Sequence, residues 1–374
     1  MMDRLIFRLL FISAVAVGFL FYSGTDFSSH AGKKRGIPPN VAADYIHAVI
    51  QAGRRVYSEN VVERLAKSIS LKASENWQKE NTLLLPAQFL SKSAEISDAR
   101  GIAMKYRLLS LWPVNKNNGP KSESEKKGLQ EVIKNPDKPF VWYEQSGRFW
   151  YLNAIYPDKA INKGCVSCHN SHPQSPKNDF KKGDVMGGIL INFPVGRDEG
   201  KVKRGEYSLP PLVVSEYIHT ILNSDRYIYS KYIVDRLQNN NILHASENWR
   251  EDNSLLLPAQ FLLNSSRLVK KKNLGLDFRL ISLWPINPQN APANEFEQFG
   301  LESVVDPPYR PYIDQVQLGE KRFFQAIYPD SAVAPSCITC HNSHEKSPKN
   351  DFKLFEVMGG LVITLDLNDP NKSE

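Results

Sequence analysis

Residues 164–188 read GCVSCHNSHPQSPKNDFKKGDVMGG, and residues 336–360 read SCITCHNSHEKSPKNDFKLFEVMGG. Each copy packs two cysteines and two histidines into eight residues and then closes on Val-Met-Gly-Gly. The paired glycines open a β-rich run, VMGGILINFPV in one copy and VMGGLVITLDL in the other. The polar stretch is therefore the connection into a final strand. Its recurrence decides how the chain is organised.

Outward from this stretch the duplication continues. A constant offset of 172 carries His47 onto His219, Trp77 onto Trp249, Pro86 onto Pro258, Trp112 onto Trp284, Gly128 onto Gly300, Tyr156 onto Tyr328 and Cys165 onto Cys337. It needs no insertion from about residue 42 to 198. A period this long marks a duplicated domain, with units at 38–199 and 210–368, and not a solenoid repeat that depends on its neighbours. The joint, RDEGKVKRGEYSLPP over residues 197–211, is charged and ends in Pro-Pro, as suits a short exposed linker.

Within each unit, residues 41–69 and 213–241 carry apolar side chains at helical spacing, as in Ile46, Val49 and Ile50, then Val61, Val62, Leu65 and Ile69. A second helix surrounds LLLPAQFL, with Pro86 near its start. KYRLLSLWPVN and DFRLISLWPIN read as strands stopped by proline, and RFWYLNAIYPD and KRFFQAIYPD repeat that pattern. Tyr156-Pro157-Asp158 reads as a turn. Helices first and strands later predict an α+β domain with an antiparallel sheet, present twice.

A chain of 374 residues suits two or three domains, each able to bury a core. The formal net charge of +7 is spread among acidic residues. Basic runs such as Lys33-Lys34-Arg35 and Lys270-Lys271-Lys272 are short enough to be solvated turns, so the pattern does not point to nucleic acid. At the N-terminus, Arg4 and Arg8 bracket the start of an apolar run, and Leu5 to Tyr22 gives 18 mostly apolar residues. Residues 1–24 therefore read as a signal peptide or membrane anchor; the missing Ala-x-Ala site favours the anchor. With the arginines inside, the remainder faces the periplasm or the outer face of a bacterial cytoplasmic membrane.

The four cysteines, Cys165, Cys168, Cys337 and Cys340, form two Cys-x-x-Cys-His motifs completed by His169 and His341. Two thiols at this spacing can form thioethers with the two vinyl groups of one haem, and the adjacent histidine then becomes the proximal iron ligand. The expected cofactors are thus two covalently attached haem c groups. Zinc on Cys165, Cys168, His169 and His172, or on Cys337, Cys340, His341 and His344, is the alternative. Structural zinc sites draw their ligand pairs from separated segments, which counts against it. A redox disulfide also suits an exported chain, but it needs no histidine at a fixed next position.

For the opposite face of each iron, His47 and His219 on the first helix are the preferred candidates, against the alternative of histidines satisfied by local hydrogen bonds. Met186 and Met358, at the start of the final strand, come second; core filling is their plainer role. His172 and His344 lie three residues past the proximal histidines and are assigned no ligand role. Trp77/Trp249, Trp112/Trp284 and Tyr156/Tyr328 read as core or pocket packing. Arg107/Arg279 and Lys177/Lys349 are candidates for haem propionates or for plain solvation. No phosphate loop, His-Glu-x-x-His motif, nucleophile elbow or recurring acid–base pair points to an enzyme.

Taken in order, LLLPAQFL, SLWPINPQNAP, YPD, Cys-x-x-Cys-His and the GDVMGG or EVMGG run resemble the bacterial c-type haem domain. The likeness covers residues 38–199 and 210–368. It implies an exported sensory module with a PAS-like fold, found ahead of histidine kinases and adenylate/guanylate cyclases, and haem attachment at Cys165, Cys168, His169, Cys337, Cys340 and His341. No kinase or cyclase sequence accompanies these two units, so sensing would pass through a separate signalling protein. The expected function is a membrane-tethered dihaem cytochrome in electron transfer or redox sensing, with a redox partner protein. The alternatives are a haem-based small-gas sensor and a zinc or disulfide protein.

Overall fold

A computed structural model describes residues 36–197 and 207–368. The N-terminal segment 1–24 and most of the joint lie outside the described residues. Among those described, no helix is long and apolar enough to cross a membrane.

The first half begins with helix α1, Pro39–Val56, with proline at its first position, where no helical N–H is lost. It runs on through a π-helical turn, Tyr57–Glu63, into a last helical stretch, Arg64–Ser68. Helix α2, Pro86–Ala99, also starts on proline, and the Gln88 side chain accepts the Leu85 N–H at 3.0 Å. Strand β1, Lys105–Leu109, leads to helix α3, Glu123–Lys134, whose N-cap Ser122 accepts from the Glu125 N–H. Strands β2, Phe140–Ser146, and β3, Phe149–Lys159, form a hairpin turning at Gly147, where φ is +58°. Helix α4, Lys163–Ser171, carries the cysteine motif, and strand β4, Val185–Arg197, closes the unit.

The sheet is antiparallel in the order β1-β4-β3-β2. Alternation along β3 and β4 covers both faces. Leu152, Ala154, Tyr156, Ile189, Ile191 and Phe193 pack towards the long helices. Ile155 and Leu190 pack with Leu129 and Val132 of α3 on the other side. A Cβ at Gly188 would meet Ile155 Cγ2 at 2.5 Å, so only glycine lets β4 pass this close.

The second half repeats this order. It comprises α5, Pro211–Ile228, a π turn over Tyr229–Asp235, α6, Pro258–Lys270, β5, Leu276–Ile281, α7, Glu295–Val304, β6, Tyr312–Leu318, β7, Lys321–Ser331, α8, Pro335–Ser343, and β8, Val357–Asp366. Its sheet order is β5-β8-β7-β6. The chain is thus two α+β halves in tandem.

One local reading needs correction. Tyr156-Pro157-Asp158 is not a turn; β3 continues through it to Lys159, with Pro157 opposite Gly188. Proline is tolerated because β2 pairs with β3 only as far as Ile155, which leaves that edge without a ladder to break. The same holds at Pro329, opposite Gly360.

The halves are not beads on a linker. Helix α1 packs on α5 and α6, and α2 packs on α5. Two apolar clusters draw on both halves. Contacts repeat reciprocally about a pseudo-twofold axis. Ile37 and Leu209 exchange both backbone hydrogen bonds at 2.8 Å, and Phe89 meets its counterpart Phe261 at 5.8 Å. Arg64 donates to the Ser254 carbonyl and lies 4.8 Å from the Trp249 ring; Arg236 donates to the Thr82 carbonyl and lies 5.0 Å from Trp77. Where a residue of one half meets a residue of the other, their two equivalents meet as well, which is isologous pairing inside one chain.

Candidate functional site

Helix α4 gathers the motif. Spacing of three and four residues puts Cys165, Cys168 and His169 on one helical face. Its N-cap is Asn162, whose side-chain oxygen accepts the Cys165 N–H at 3.0 Å and its Sγ–H at 3.2 Å. In the second half Ala334 stands at the cap and Pro335 opens α8, so there the proline replaces the side-chain cap. All four cysteines are free; Cys165 and Cys337 are half-buried, Cys168 and Cys340 exposed. Burial raises the pKa of Cys168, Cys337 and Cys340, which keeps them as thiols at neutral pH.

Three contacts tie α1 to the segment carrying the motif. The His47 ring stacks on Tyr156 with centroids 4.0 Å apart. Two turns on, Arg54 pairs with Asp158, which shares a strand face with Tyr156. One turn beyond that, the Ser58 hydroxyl in the π turn accepts from Asn162 at 3.5 Å. The second half matches closely: His219 stacks on Tyr328 at 4.1 Å, Arg226 pairs with Asp330, and Asp235 accepts the Ser336 N–H at 3.3 Å. Burial would lower the pKa of Arg54 and Arg226, but the facing carboxylates hold both guanidiniums firmly charged.

Desolvation, followed by nearby cations, depresses the pKa of His47 and His219 well below the usual histidine range. His169 and His341 are lowered too, again chiefly by burial. All four imidazoles are therefore neutral at pH 7 and keep a lone pair for a metal. His47 Nε2, His169 Nδ1 and His341 Nδ1 are buried without a hydrogen-bond partner, an arrangement that costs free energy unless a further group engages the ring. No hydrogen bond or ring contact joins His47 to His169. The Arg54–Asp158 pair intervenes, about 10 Å along the helix from His47.

Met186 sits beneath α4, 8% exposed, in a small cluster with Ala160 and Phe180 against Trp112, Cys165 and Val166; Met358 repeats this with Ala332 and Phe352. The Phe180 ring meets His169 edge-on at 6.1 Å, so this cluster supports the motif helix from below. On the outer side, a crevice of ≈ 680 Å³ is lined by Glu75, Gln88, Pro113, Val114, Asn115, Lys116 and Gln174. That volume lies within the usual range for a small-molecule or cofactor site. Glu75 also pairs with His172 Nε2 at 3.5 Å, and His172 Nδ1 accepts the Gln174 N–H.

Other expected residues separate clearly. Arg107 and Arg279 pair with Glu125 and Glu297 beside α3 and α7, on the sheet face away from α1 and α5. Lys177 and Lys349 lie over Trp112 and Trp284, next to the motif. Trp77 and Trp249 belong to the junction of the halves. The Arg54–Asp158 and Arg226–Asp330 pairs escaped the sequence reading. Their signal was present: an arginine seven residues after His47 and again after His219. Among the described residues, no group of three or more His, Cys, Asp or Glu side chains is gathered for a metal ion.

Two equivalent α+β units, each presenting a Cys-x-x-Cys-His helix and a half-buried histidine on its first helix, define a tandem protein with one candidate site per unit. The chain belongs to the Tll0287-like family, whose family model matches residues 40–194 and 214–365. No curated protein matches it. A solved structure titled "Crystal structure of the cyanobacterial heme-protein Tll0287" aligns at 17% identity and a TM-score of 0.28, covering 43% of this chain and 98% of that one.

Proposed function

We propose that the chain is an exported, membrane-tethered dihaem c-type cytochrome that transfers electrons or reports redox state to a partner protein. The observation that carries this reading is the twofold placement of two free thiols and a neutral imidazole on one face of a short helix, at Cys165, Cys168 and His169 and at Cys337, Cys340 and His341. Membership of the family supports it, since the cyanobacterial Tll0287 is itself titled a haem protein.

Bound haem would supply reversible one-electron chemistry at each site. The chain's own residues do the rest. Cys165, Cys168, Cys337 and Cys340 would hold the macrocycle through thioethers, and His169 and His341 would ligate the iron. His47 and His219, neutral and half-buried on a helix independent of the motif, are the distal candidates, and to meet the iron they would have to displace the Arg54–Asp158 and Arg226–Asp330 pairs that stand between. Met186 and Met358 are the weaker candidates, because both are engaged as packing beneath the motif helix. Arg54–Asp158 and Arg226–Asp330 set the spacing between the two elements.

Carbon monoxide tests the reading on the reduced, matured protein. Two ligands on each iron leave no open position, so the wild-type protein takes up carbon monoxide slowly or not at all. His47→Ala opens one haem of the two, and adding His219→Ala opens both. Rapid binding to the unmodified protein, without displacement of a ligand, would replace this reading with a gas sensor.

A further inference from the structure

His47 and Gln51 lie one turn apart on α1 and share a face; their equivalents on α5 are His219 and Asn223. Each second member of these pairs is held by a cation from the other half. Lys272, just past the end of α6, donates from Nζ to Gln51 Oε1. Arg100, at the C-cap of α2, donates from both terminal nitrogens to the Asn223 side-chain oxygen at 3.3 and 3.2 Å, in the amide orientation that satisfies both groups. Lys272 and Arg100 are themselves equivalent under the offset of 172, so the exchange obeys the pseudo-twofold. Asn223 lines a small void together with His219, Arg226 and Asp330, so the group that Arg100 holds faces the same void as His219.

Electrostatics agree with this crossing. After desolvation, Lys272 is the largest contributor to the lowered pKa of His47, and Arg100 the largest to that of His219. Burial and the neighbouring Arg226 bring Arg100 down to about 10, so it stays charged at neutral pH. Burial lowers Lys272 as well, against the opposing pull of Asp44.

We propose that the two sites exchange charge: Arg100 of the first half is a positioning residue for the haem of the second, and Lys272 of the second half for the haem of the first. This inference rests on the haem reading above. A fixed positive charge opposes the oxidised, more positive iron more than the reduced one, strongly at half-buried Arg100 and more weakly at exposed Lys272, where water and salt screen it. Each cation therefore raises the midpoint potential of the haem across the junction and makes that potential depend on how the halves pack.

The test is a spectroelectrochemical titration of the full matured chain. Cys337→Ala with Cys340→Ala leaves only the first haem, and Cys165→Ala with Cys168→Ala leaves only the second, which assigns the two signals. Arg100→Gln should lower the potential of the second haem and leave the first unmoved. Lys272→Gln should do the reverse, and Arg100→Lys should restore most of the wild-type value. A shift confined to the haem of the variant's own half, or none in either, would overturn the proposal. A purely structural role would lower the melting temperature and leave the potentials alone. Lys272 is solvent-exposed, so Lys272→Gln should fold and should show a smaller lowering at the first haem alone, which keeps the proposal falsifiable even if Arg100→Gln fails to fold. Absence of covalent haem from the matured protein would sink the haem reading itself, a result distinct from haems whose potentials do not respond.

Discussion

Asp225 stands where the first half has Gly53, and the two meet as α1 and α5 cross: a Cβ at Gly53 would overlap the Asp225 carboxylate. Two identical halves would bring together either two glycines or two carboxylates. Duplication within one chain permits one of each. The Asp225 carboxyl is 4% exposed and accepts from Ser93, which is in turn bonded to Tyr106 at 2.7 Å. Burial, only partly offset by the Ser93 bond, raises its pKa to about 7. A carboxyl whose pKa is higher folded than unfolded contributes full stability below its unfolded value near 4, and loses that contribution as pH rises through about 7. Asp225→Asn removes the titration and keeps an acceptor for Ser93. Denaturant midpoints at pH 5 and pH 8 should therefore separate: the wild-type protein falls further between them than the variant, and the variant is the more stable at pH 8. Equal falls would mean that Asp225 is ionised in the folded protein throughout.

At the level of elements, the strongly patterned segments were legible: the long amphipathic helices, the proline-started second helix, and the strands around Arg107, Tyr156 and Gly188. Helix α3 and strand β2 were not identified, although Ser122 and Glu125 carry a capping signature. The Tyr-Pro-Asp reading went wrong because proline tolerance depends on where a neighbouring strand ends, which local sequence does not encode. Within the candidate site, motif spacing pointed to Cys165, Cys168 and His169. Lys272 and Arg100 were invisible as site residues, because their partners Gln51 and Asn223 lie more than a hundred residues away and in the other half. The loop before the last strand also differs between halves. Gly183, with φ +96°, is replaced by Phe355, with φ +70° and 58% exposed. A phenylalanine in that region costs roughly 1–3 kcal/mol of backbone strain, and its exposed ring recovers little by burial. Phe355→Gly should leave stability unchanged or raise it by up to about 1 kcal/mol, the glycine's freedom in the unfolded chain offsetting part of the relief. A loss above about 2 kcal/mol in chemical denaturation would indicate that the ring packs against something that matters.

For the whole molecule, the pseudo-twofold is the organising feature. Each half supplies a sheet and a motif helix, and the long helices of both build a shared core. The duplicated unit read from sequence as self-contained is instead one side of an internal pair, with reciprocal contacts at Ile37–Leu209, Arg64–Ser254 and Arg236–Thr82. Two candidate sites joined through one shared core suit the proposal that each half places a charge beside the site of the other. The proposed function depends on both motifs carrying covalent haem. The most direct measurement is the intact mass of the full chain from a host with cytochrome c maturation, read with its pyridine haemochrome spectrum. The account predicts the polypeptide plus two haems and a spectrum of thioether-linked haem, falling to one haem when Cys165 and Cys168 become alanine. A bare polypeptide mass, or haem that leaves on acid–acetone extraction, would contradict it.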